Sequence, residues 1–308
     1  MRLEVVVPTY NRANLLPVCL KSLKSANVPH GLTVGITIVD NNSNDNTREV
    51  VESSQEQFEG RLSYLFEPTQ GRSAALNAGI IGSESDLVGF IDDDEEIDKT
   101  WYETIYHAFT TYDVDFIGGP YIPNWEKDPP TWLPADHEGV IGLVAAGNLI
   151  IPYDEHYPGI LMGGNAVIRR AVLEKVGLYM TSLGRTGARL LAGEDEHMYR
   201  RLLASGAKGL YLPDLKIHHL IPAVRLTKKY YRSWSFWRGV SCGVLDREQP
   251  QSVPYFFGVP RYLFGAASRG LVKWGTAPIR NAATSQTFSH ELAMWDLAGF
   301  FYGKHFYH

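Results

Sequence analysis

Five consecutive carboxylates occupy positions 92–96, with the sequence Asp-Asp-Asp-Glu-Glu. Side chains of like charge repel one another, so a run of this kind needs either solvent or a cation. A hard divalent ion with oxygen ligands would remove the repulsion, whereas a solvated acidic loop is the more ordinary alternative. These residues alone leave both interpretations open.

Three further segments hold residue types that could do chemistry. The adjacent glycines at 163–164 allow backbone to approach a ligand closely, although a simple bulge is the alternative. The acidic segment at 193–196 precedes a predicted helix, where carboxylates usually cap amides and complement the dipole. Two adjacent histidines at 218–219 follow a predicted strand and are a better ligand candidate than a lone histidine.

Alternating strands and helices are predicted to position these groups. Short apolar runs predict buried strands at residues 4–7, 34–39, 62–66 and 87–91, with helical spacing between them. Such a series gives a parallel sheet with right-handed crossovers, and ligands bind beyond the carboxyl ends of its strands. Three polar loops are expected there, at residues 9–12, 40–42 and 92–94. This convergence favours the cation interpretation.

The sequence lacks a phosphate-binding loop after its first strand. Neither Gly-x-Gly-x-x-Gly nor the Walker lysine motif occurs in it, which argues against a dinucleotide-binding fold and a P-loop NTPase. A bound nucleotide would therefore need another counter-charge for its phosphates. A cation held at 92–94 would supply one.

Composition is that of an ordinary globular protein of 308 residues, 44% hydrophobic and 20% charged. The two cysteines, Cys19 and Cys242, lack a metal-binding spacing, so a reducing compartment is expected. Neither a signal peptide nor a run of about 20 apolar residues is visible. We therefore expect a cytoplasmic protein.

Charge is unevenly distributed along the chain. Residues 1–224 hold 18 basic and 30 acidic side chains, whereas residues 225–308 hold 11 basic and 4 acidic ones, together with 18 of the 37 aromatic residues. Basic and aromatic side chains at helical spacing suit a peripheral contact with a membrane, although packing on the rest of the protein is the alternative. Nucleic acid is a poor candidate partner, because the larger part is acidic.

Eight short motifs together resemble the family 2 glycosyltransferases, which use nucleotide-diphospho-sugars and have a GT-A fold. They run in family order, at residues 6–12, 39–43, 71–77, 90–94, 163–166, 183–185, 193–196 and 218–227. The resemblance is closest to soluble bacterial members that build polysaccharides or cell-surface glycans. It implies an α/β GT-A fold with a Rossmann-like, mostly parallel sheet flanked by helices. The match thins from residue 226 on, where the helical spacing of basic and aromatic side chains predicts a mainly helical C-terminal extension.

The resemblance also implies a nucleotide pocket and a metal site. The nucleotide-binding residues would be Pro8, Thr9, Tyr10, Arg12, Asp40, Arg72, Asp92 and Asp93. Asp40 resembles the acid that accepts a hydrogen bond from the base, commonly uracil. Asp94 and His219 would bind Mn²⁺ or Mg²⁺, with His218 as the alternative histidine. Asp93 and Glu95 are otherwise expected to be solvated neighbours of Asp94.

Catalysis is implied for Asp195, which resembles the general base of inverting members and would take the proton of the acceptor hydroxyl. Its neighbour Glu194 would orient the acceptor. Donor or acceptor sugar contacts are expected for Gly163, Gly164, Asn165 and Trp132. Trp132 lies in a proline-rich segment, residues 120–134, that predicts an extended surface loop, where it could stack on a sugar or simply pack.

The predicted protein is an inverting, metal-dependent glycosyltransferase that moves a sugar, with UDP as the expected carrier, to a glycan or lipid-linked glycan. Its catalytic domain would span residues 1–224, divided into a donor half at 1–119 and an acceptor half at 120–224, before the extension at 225–308. A sugar-nucleotide nucleotidyltransferase is an alternative, but residues 8–12 offer it one arginine and no glycine. An inactive glycan-binding module is another, and the intact Asp94 and Asp195 argue against it.

Overall fold

The computed structural model describes residues 1–143, 145–185, 190–248, 250–277 and 283–307. The chain divides into two compact units. Unit 1 comprises Met1–Pro123, Val144–Gly187 and Glu194–Leu220. Unit 2 comprises Asn124–Leu143, Ala188–Gly193 and Ile221–His308. The domain boundaries expected at residues 119 and 224 remain predictions.

Strands and helices alternate through the first part of unit 1, as the apolar pattern predicts. Numbered in chain order, the strands of its main sheet are β1 (Arg2–Thr9), β2 (Thr33–Asp40), β3 (Leu62–Phe66), β4 (Leu87–Phe90), β6 (Phe116–Gly118), β8 (Ile151–Tyr153), β9 (Ala166–Arg169) and β10 (Gly209–Tyr211). Its helices are α1 (Leu16–Ser25), α2 (Thr47–Ser54), α3 (Arg72–Gly82), α4 (Trp101–Thr111), α5 (Arg170–Val176) and α6 (Glu194–Ala204).

The main sheet has the strand order β3-β2-β1-β4-β9-β6-β10-β8. The first four strands pair in parallel, and β6 pairs in parallel with β10. β9 runs antiparallel to both β4 and β6, and β8 runs antiparallel to β10. The expected mostly parallel sheet flanked by helices is therefore confirmed, with antiparallel pairs confined to β8 and β9.

The central strand β1 is buried on both faces, as its uninterrupted apolar run predicts. Val5 and Val7 belong to one apolar layer, which includes Leu16 of α1. Val6 belongs to the opposite layer, which includes Leu76 of α3. Successive side chains of a strand point to opposite faces, so β1 joins the two layers. This burial fixes the carboxyl end of β1 at the sheet edge where the polar loops begin.

A smaller sheet has the order β5-β11-β7 and is formed by β5 (Glu95–Ile97), β7 (Tyr121–Trp125) and β11 (Ile217–Ile221). β5 pairs antiparallel with β11, and this register places Glu95 opposite His219. The prediction that residues 120–134 form an extended surface loop is wrong for the first part of this segment, because β7 lies there. Local proline content does not reveal the partner strand that makes β7 possible.

Unit 2 is mainly helical, as expected for the end of the chain. Its elements in this region are α7 (Lys228–Glu248), β12 (Tyr255–Phe256), β13 (Val259–Pro260), α8 (Arg261–Thr276) and α9 (Thr284–His305). Tyr231, Phe288 and Leu292 centre an apolar cluster of this unit. Within the part of the chain that the structure describes, no helix has both the length and the apolar character needed to cross a bilayer.

Glycine faces bring α7 and α9 together. Gly239 and Gly243 lie one turn apart on α7, and Gly299 and Gly303 lie one turn apart on α9. At each of these glycines, an added Cβ would lie within 3.0 Å of a backbone carbonyl oxygen of the other helix. The two backbones therefore approach more closely than any larger residue at these positions would allow.

Candidate functional site

The loops that follow β1 and β2 are hydrogen-bonded to each other. The backbone N–H of Asn41 donates to the carbonyl oxygen of Thr9 at 2.9 Å. Asn11 donates its N–H to Ser43 Oγ at 2.9 Å, and its side-chain oxygen accepts from the N–H of Asn44 at 2.7 Å. Two of the three predicted polar loops therefore lie side by side at the carboxyl edge of the sheet.

Asp93 in the third loop is held by residues of the first. Thr9 donates its hydroxyl to Asp93 Oδ2 at 2.8 Å, and Arg12 Nη1 lies 2.7 Å from Asp93 Oδ1 and 3.2 Å from Asp94 Oδ2. Burial raises the pKa of Asp93 to about 6, although Arg12 opposes the rise. Because Asp93 is only 4% exposed, the expectation that it is a solvated neighbour is wrong.

Glu95 is also buried, with 2% of its surface exposed. Its Oε2 accepts a hydrogen bond of 2.8 Å from the backbone N–H of Asp92. Burial raises the pKa of Glu95 well above its usual range, and the charges of Asp92 and Asp94 add to the rise. The expectation that Glu95 is solvated is therefore wrong, and it is the acid that sequence reasoning missed.

Carboxylate oxygens of Asp92, Asp94 and Glu95 lie within 4.8 Å of one another. His219 lies beside this cluster, with its Nε2 3.8 Å from Asp94 Oδ1. Oxygen ligands in such a set fit Mg²⁺ or Mn²⁺, and an imidazole is tolerated better by Mn²⁺. The two residues predicted to bind metal are therefore together, with Asp92 and Glu95 as further candidate ligands.

Arg72 connects this cluster to the acidic start of α6. Its Nη2 lies 2.9 Å from Asp92 Oδ1, while its Nη1 lies 3.3 Å from Glu194 Oε1 and 3.2 Å from Asp195 Oδ1. Arg72 opens α3 after Gly71, whose φ of +139° suits glycine. One guanidinium thus bridges acids that lie more than 100 positions apart in the sequence.

Asp195 is oriented from two sides. Its Oδ2 accepts a 3.1 Å hydrogen bond from the backbone N–H of Gly163, and its Oδ1 contacts Arg72. The side chain of Asp195 is 17% exposed, compared with 8% for Glu194. Burial, and the neighbouring charge of Asp195, raise the pKa of Glu194 to about 7, although Arg72 opposes the rise. Asp195 is therefore the more accessible acid of the pair.

The two adjacent glycines make room for carboxylates of the protein itself. An added Cβ at Gly163 would lie within 3.0 Å of Asp195 Oδ1, and one at Gly164 would lie within 3.0 Å of Glu95 Oε1. Such separations essentially never occur. Sequence reasoning expected a ligand to approach these glycines, whereas the groups that contact them are two buried or half-buried acids.

A segment at 179–185 packs against α3 through hydrogen bonds. Ser73 Oγ donates to the carbonyl of Leu183 at 2.8 Å, and the backbone N–H of Arg72 donates to the carbonyl of Arg185 at 3.0 Å. Asn77 exchanges two hydrogen bonds of 2.8 Å with the backbone of Tyr179. These contacts fix the beginning of α3 and hence the position of Arg72.

Asp40, at the end of β2, is buried and oriented. Its Oδ1 accepts from the backbone N–H of Ser43 at 2.9 Å, and its Oδ2 accepts from the Tyr64 hydroxyl at 2.8 Å. Of the other predicted nucleotide contacts, Pro8 is buried in β1, and Tyr10 is half-buried just beyond that strand. Tyr64 was not predicted, because nothing local to it marks a partner 24 positions away.

Asn165 and Trp132, for which sugar contacts are expected, both contact other residues of the protein. Asn165 is buried, accepts from Trp101 Nε1 at 2.9 Å and donates to the carbonyl of Leu215 at 2.6 Å. The geometry gives its side chain a structural role in unit 1. Trp132 belongs to unit 2, where its ring packs edge-on against Tyr231 and Phe288 at centroid distances of 5.5 and 5.2 Å. Their expected sugar contacts remain predictions.

Several known proteins resemble this chain in sequence. A family model described as glycosyl transferase family 2 matches residues 4–177. The succinoglycan biosynthesis protein ExoM of Rhizobium meliloti is 25% identical over 251 residues, which cover 81% of this chain and 76% of that protein. The glucosyl-dolichyl phosphate glucuronosyltransferase of Haloferax volcanii is 25% identical over 221 residues, which cover 70% of this chain and 68% of that protein.

Solved structures share its architecture. The mannosyltransferase PcManGT from Pyrobaculum calidifontis, in complex with GDP-Man and Mn²⁺, has a TM-score of 0.61 at 19% identity, over 96% of this chain and 86% of that chain. S. aureus TarS 1-349 in complex with UDP has a TM-score of 0.54 at 15% identity, over 95% of this chain and 89% of that chain. At these identities the likeness shows the fold alone, and it confirms the predicted GT-A fold.

Proposed function

Because this chain belongs to glycosyl transferase family 2, we propose that it moves a sugar from a nucleotide-diphospho-sugar to a glycan or a lipid-linked glycan. A UDP-sugar is the expected donor, and the anomeric configuration is expected to invert. One observation carries the proposal: Arg72 pairs with both Asp92 and Asp195. This side chain holds the acids assigned to donor binding and to proton transfer beside each other.

The acids that follow β4 and begin β5 would hold the donor diphosphate through a divalent ion. Asp92, Asp94 and Glu95 offer hard oxygen ligands, and His219 lies beside Asp94. When bound, Mn²⁺ or Mg²⁺ supplies positive charge that neutralises the leaving diphosphate. The GDP-Man and Mn²⁺ bound to the mannosyltransferase, and the UDP bound to TarS, support a metal-assisted nucleotide donor.

Residues at the ends of β1 and β2 would bind the rest of the nucleotide. Asp40 would accept a hydrogen bond from the base, with its orientation fixed by Tyr64 and Ser43. Arg12, held 2.7 Å from Asp93, would place positive charge beside the phosphates. Both side chains are oriented by protein contacts, which lowers the entropy lost on binding.

Asp195 would act as the general base. It would take the proton from the acceptor hydroxyl as that oxygen attacks the anomeric carbon, a step to which a positioned base contributes roughly 10²–10⁴-fold. A base on the face opposite the leaving group gives inversion in one displacement. The hydrogen bond from Gly163 and the ion pair with Arg72 fix its orientation. Glu194 would orient the acceptor.

The acceptor class is inferred from relatives. ExoM is named for succinoglycan biosynthesis, and the Haloferax relative is named for transfer to glucosyl-dolichyl phosphate. Both names concern saccharides, so the acceptor proposed for this chain is a saccharide, either free or carried on a lipid phosphate. A cytoplasmic location remains a prediction.

The test is the Asp195→Asn variant, which keeps the size of the side chain and one of its two acceptor oxygens but removes the basic carboxylate. We expect release of nucleoside diphosphate, measured across a panel of nucleotide sugars with oligosaccharide and lipid-extract acceptors, to fall by roughly 10²–10⁴-fold. Binding of UDP with Mn²⁺, measured by calorimetry, should be unchanged, because the expected base contact Asp40 and the expected metal ligand Asp94 follow β2 and β4, whereas Asp195 lies in the first turn of α6.

Glu196→Gln is the matched control, because Glu196 lies in the same helical turn and pairs with Arg200 at the surface. It should keep full activity. Wild-type activity in Asp195→Asn would remove the base assignment. Loss of UDP binding in that variant would instead show that Asp195 belongs to the donor site.

A further inference from the structure

A two-residue loop in unit 2 carries a phenylalanine in an unfavourable conformation. β12 and β13 pair antiparallel, with Tyr255 opposite Pro260, and Phe257 and Gly258 connect them. Both connecting residues have positive φ, +47° for Phe257 and +70° for Gly258. Such tight hairpin turns favour Asn-Gly, and a bulky residue with positive φ is a true outlier. Folding alone therefore does not explain Phe257.

Phe257 is also 72% exposed, and three other exposed phenylalanines accompany it. The ring of Phe256 lies 4.3 Å from that of Phe257, and the ring of Phe306 lies 6.0 Å from that of Phe301 at the end of α9. His305 Nε2 joins the two pairs as a donor, 3.0 Å from the carbonyl oxygen of Phe257. We call Phe256, Phe257, Phe301 and Phe306 the aromatic tip.

The base of the aromatic tip is anchored by a buried carboxylate. Asp246 of α7 accepts a 2.8 Å hydrogen bond from Lys304 Nζ of α9 and a 2.5 Å hydrogen bond from the Tyr255 hydroxyl of β12. These contacts depress the pKa of Asp246 although its burial opposes them. These hydrogen bonds hold the hairpin against two helices, so the positions of its exposed rings are fixed.

Two exposed arginines border the segments that form the aromatic tip. Arg261 is exposed and directly follows the hairpin, and its backbone N–H donates to the carbonyl of Pro254 at 2.9 Å. Arg247 Nη1 donates to the carbonyl of Tyr307 at 2.8 Å, next to Phe306. Residues 225–308 as a whole hold 11 basic and 4 acidic side chains. An anionic surface is therefore the partner that complements the charge of this region.

We propose that the aromatic tip inserts into the interface of a bilayer with anionic headgroups. The phenyl rings of the aromatic tip would lie at the boundary between headgroups and acyl chains, while Arg247 and Arg261 would meet lipid phosphates. The proposal goes beyond sugar transfer and does not depend on it, because binding is measured with neither donor nor acceptor present.

The test uses the full chain and flotation with vesicles of equal parts phosphatidylglycerol and phosphatidylcholine. Phe257→Asn replaces the strained ring by the residue that this turn favours, so the variant should unfold at the same or a higher temperature. Its partition onto vesicles should fall by roughly tenfold or more, because one phenyl side chain no longer leaves water. Raising the salt concentration should weaken wild-type binding.

Leu149→Asn is the matched control, since Leu149 of unit 1 is 74% exposed and should not affect flotation. Wild-type protein that stays off the vesicles at low salt would overturn the proposal. So would equal flotation of wild type and Phe257→Asn. Self-association that Phe257→Asn abolishes, without vesicle binding by wild type, would assign the tip to a second copy of the chain and likewise overturn it.

Discussion

At the scale of single residues, the candidate site depends on two glycines as much as on its charged groups. Gly163 donates its N–H to Asp195, and the missing side chain of Gly164 leaves space for the Glu95 carboxylate. The site therefore packs two acids directly against backbone. Adjacent glycines in the sequence indicated a close approach, but they could not say that the approaching groups belong to the protein.

Gly163→Ala should lower the rate of transfer while leaving the fold intact. The added Cβ would overlap Asp195 Oδ1, and a flexible side chain can move away where backbone cannot. A displacement of about 1 Å in a catalytic group costs up to roughly 100-fold in rate. We expect kcat to fall by roughly 10- to 100-fold, measured by release of nucleoside diphosphate, with little change in unfolding temperature.

Gly159→Ala serves as the control for that variant. Its added Cβ would first meet Tyr157 Cε1 at 3.4 Å, an ordinary contact. Its activity should equal that of wild type. If Gly163→Ala were fully active, the close packing of Asp195 on this backbone would have no part in catalysis.

At the scale of elements, the helix pair α7 and α9 depends on glycine faces. Each helix carries two glycines one turn apart, and each of the four lies against backbone of the other helix. Each of these two helices contains the Gly-x-x-x-Gly spacing, α7 at 239–243 and α9 at 299–303. Aromatic and basic residues dominate the pattern of this region, but the glycine spacing is the signal that indicates the close packing of the two helices.

Gly299→Ala should destabilise unit 2. Its Cβ would overlap the carbonyl oxygen of Phe236, a backbone atom that cannot rotate away. Overpacking of this kind costs about 1–3 kcal/mol, which exceeds the gain of up to about 1 kcal/mol from replacing a helical glycine by alanine. The free energy of unfolding in urea should therefore fall.

Gly275→Ala in α8 separates these two effects. Among the residues that the structure describes, no atom beyond its own stretch of helix backbone lies within 4 Å of its added Cβ, so only the gain in helix propensity remains, and stability should rise slightly. A stabilised Gly299→Ala variant would show that α7 and α9 can move apart without cost.

At the scale of the whole molecule, donor binding should be visible as a metal-dependent increase in stability. A ligand that binds only the native state stabilises it by about 2.7 kcal/mol at 100 times its Kd. We expect UDP to raise the unfolding temperature by several degrees with Mn²⁺ present, and by much less after EDTA. Comparison of UDP, GDP and dTDP in the same scan would identify the base.

Asp94→Asn should remove the response to UDP with Mn²⁺, because Asp94 is the expected metal ligand. Asp113→Asn is the control, since Asp113 pairs with Lys208 at the surface and should respond as wild type does. An equal response to UDP with and without metal would contradict a metal-bridged donor site.

The βαβ series, the polar loops at the carboxyl ends of its strands, and the helical end of the chain can all be predicted from the sequence. Those features follow from local periodicity, since apolar side chains repeat at the period of the element that buries them. The motif resemblance added the family and the GT-A fold. It also placed Asp94 and His219 in one metal site, and these two side chains do lie beside each other.

The burial of particular acids, and the arginine that pairs with acids from distant segments, follow from tertiary packing. Glu95 is buried because β5 pairs with β11 and Gly164 leaves it space, and Arg72 reaches Asp195 across 123 positions of sequence. Such contacts depend on how distant elements pack, and local spacing does not encode that packing. For the same reason, a row of five carboxylates that resembles a solvated loop in sequence has two members in the protein interior.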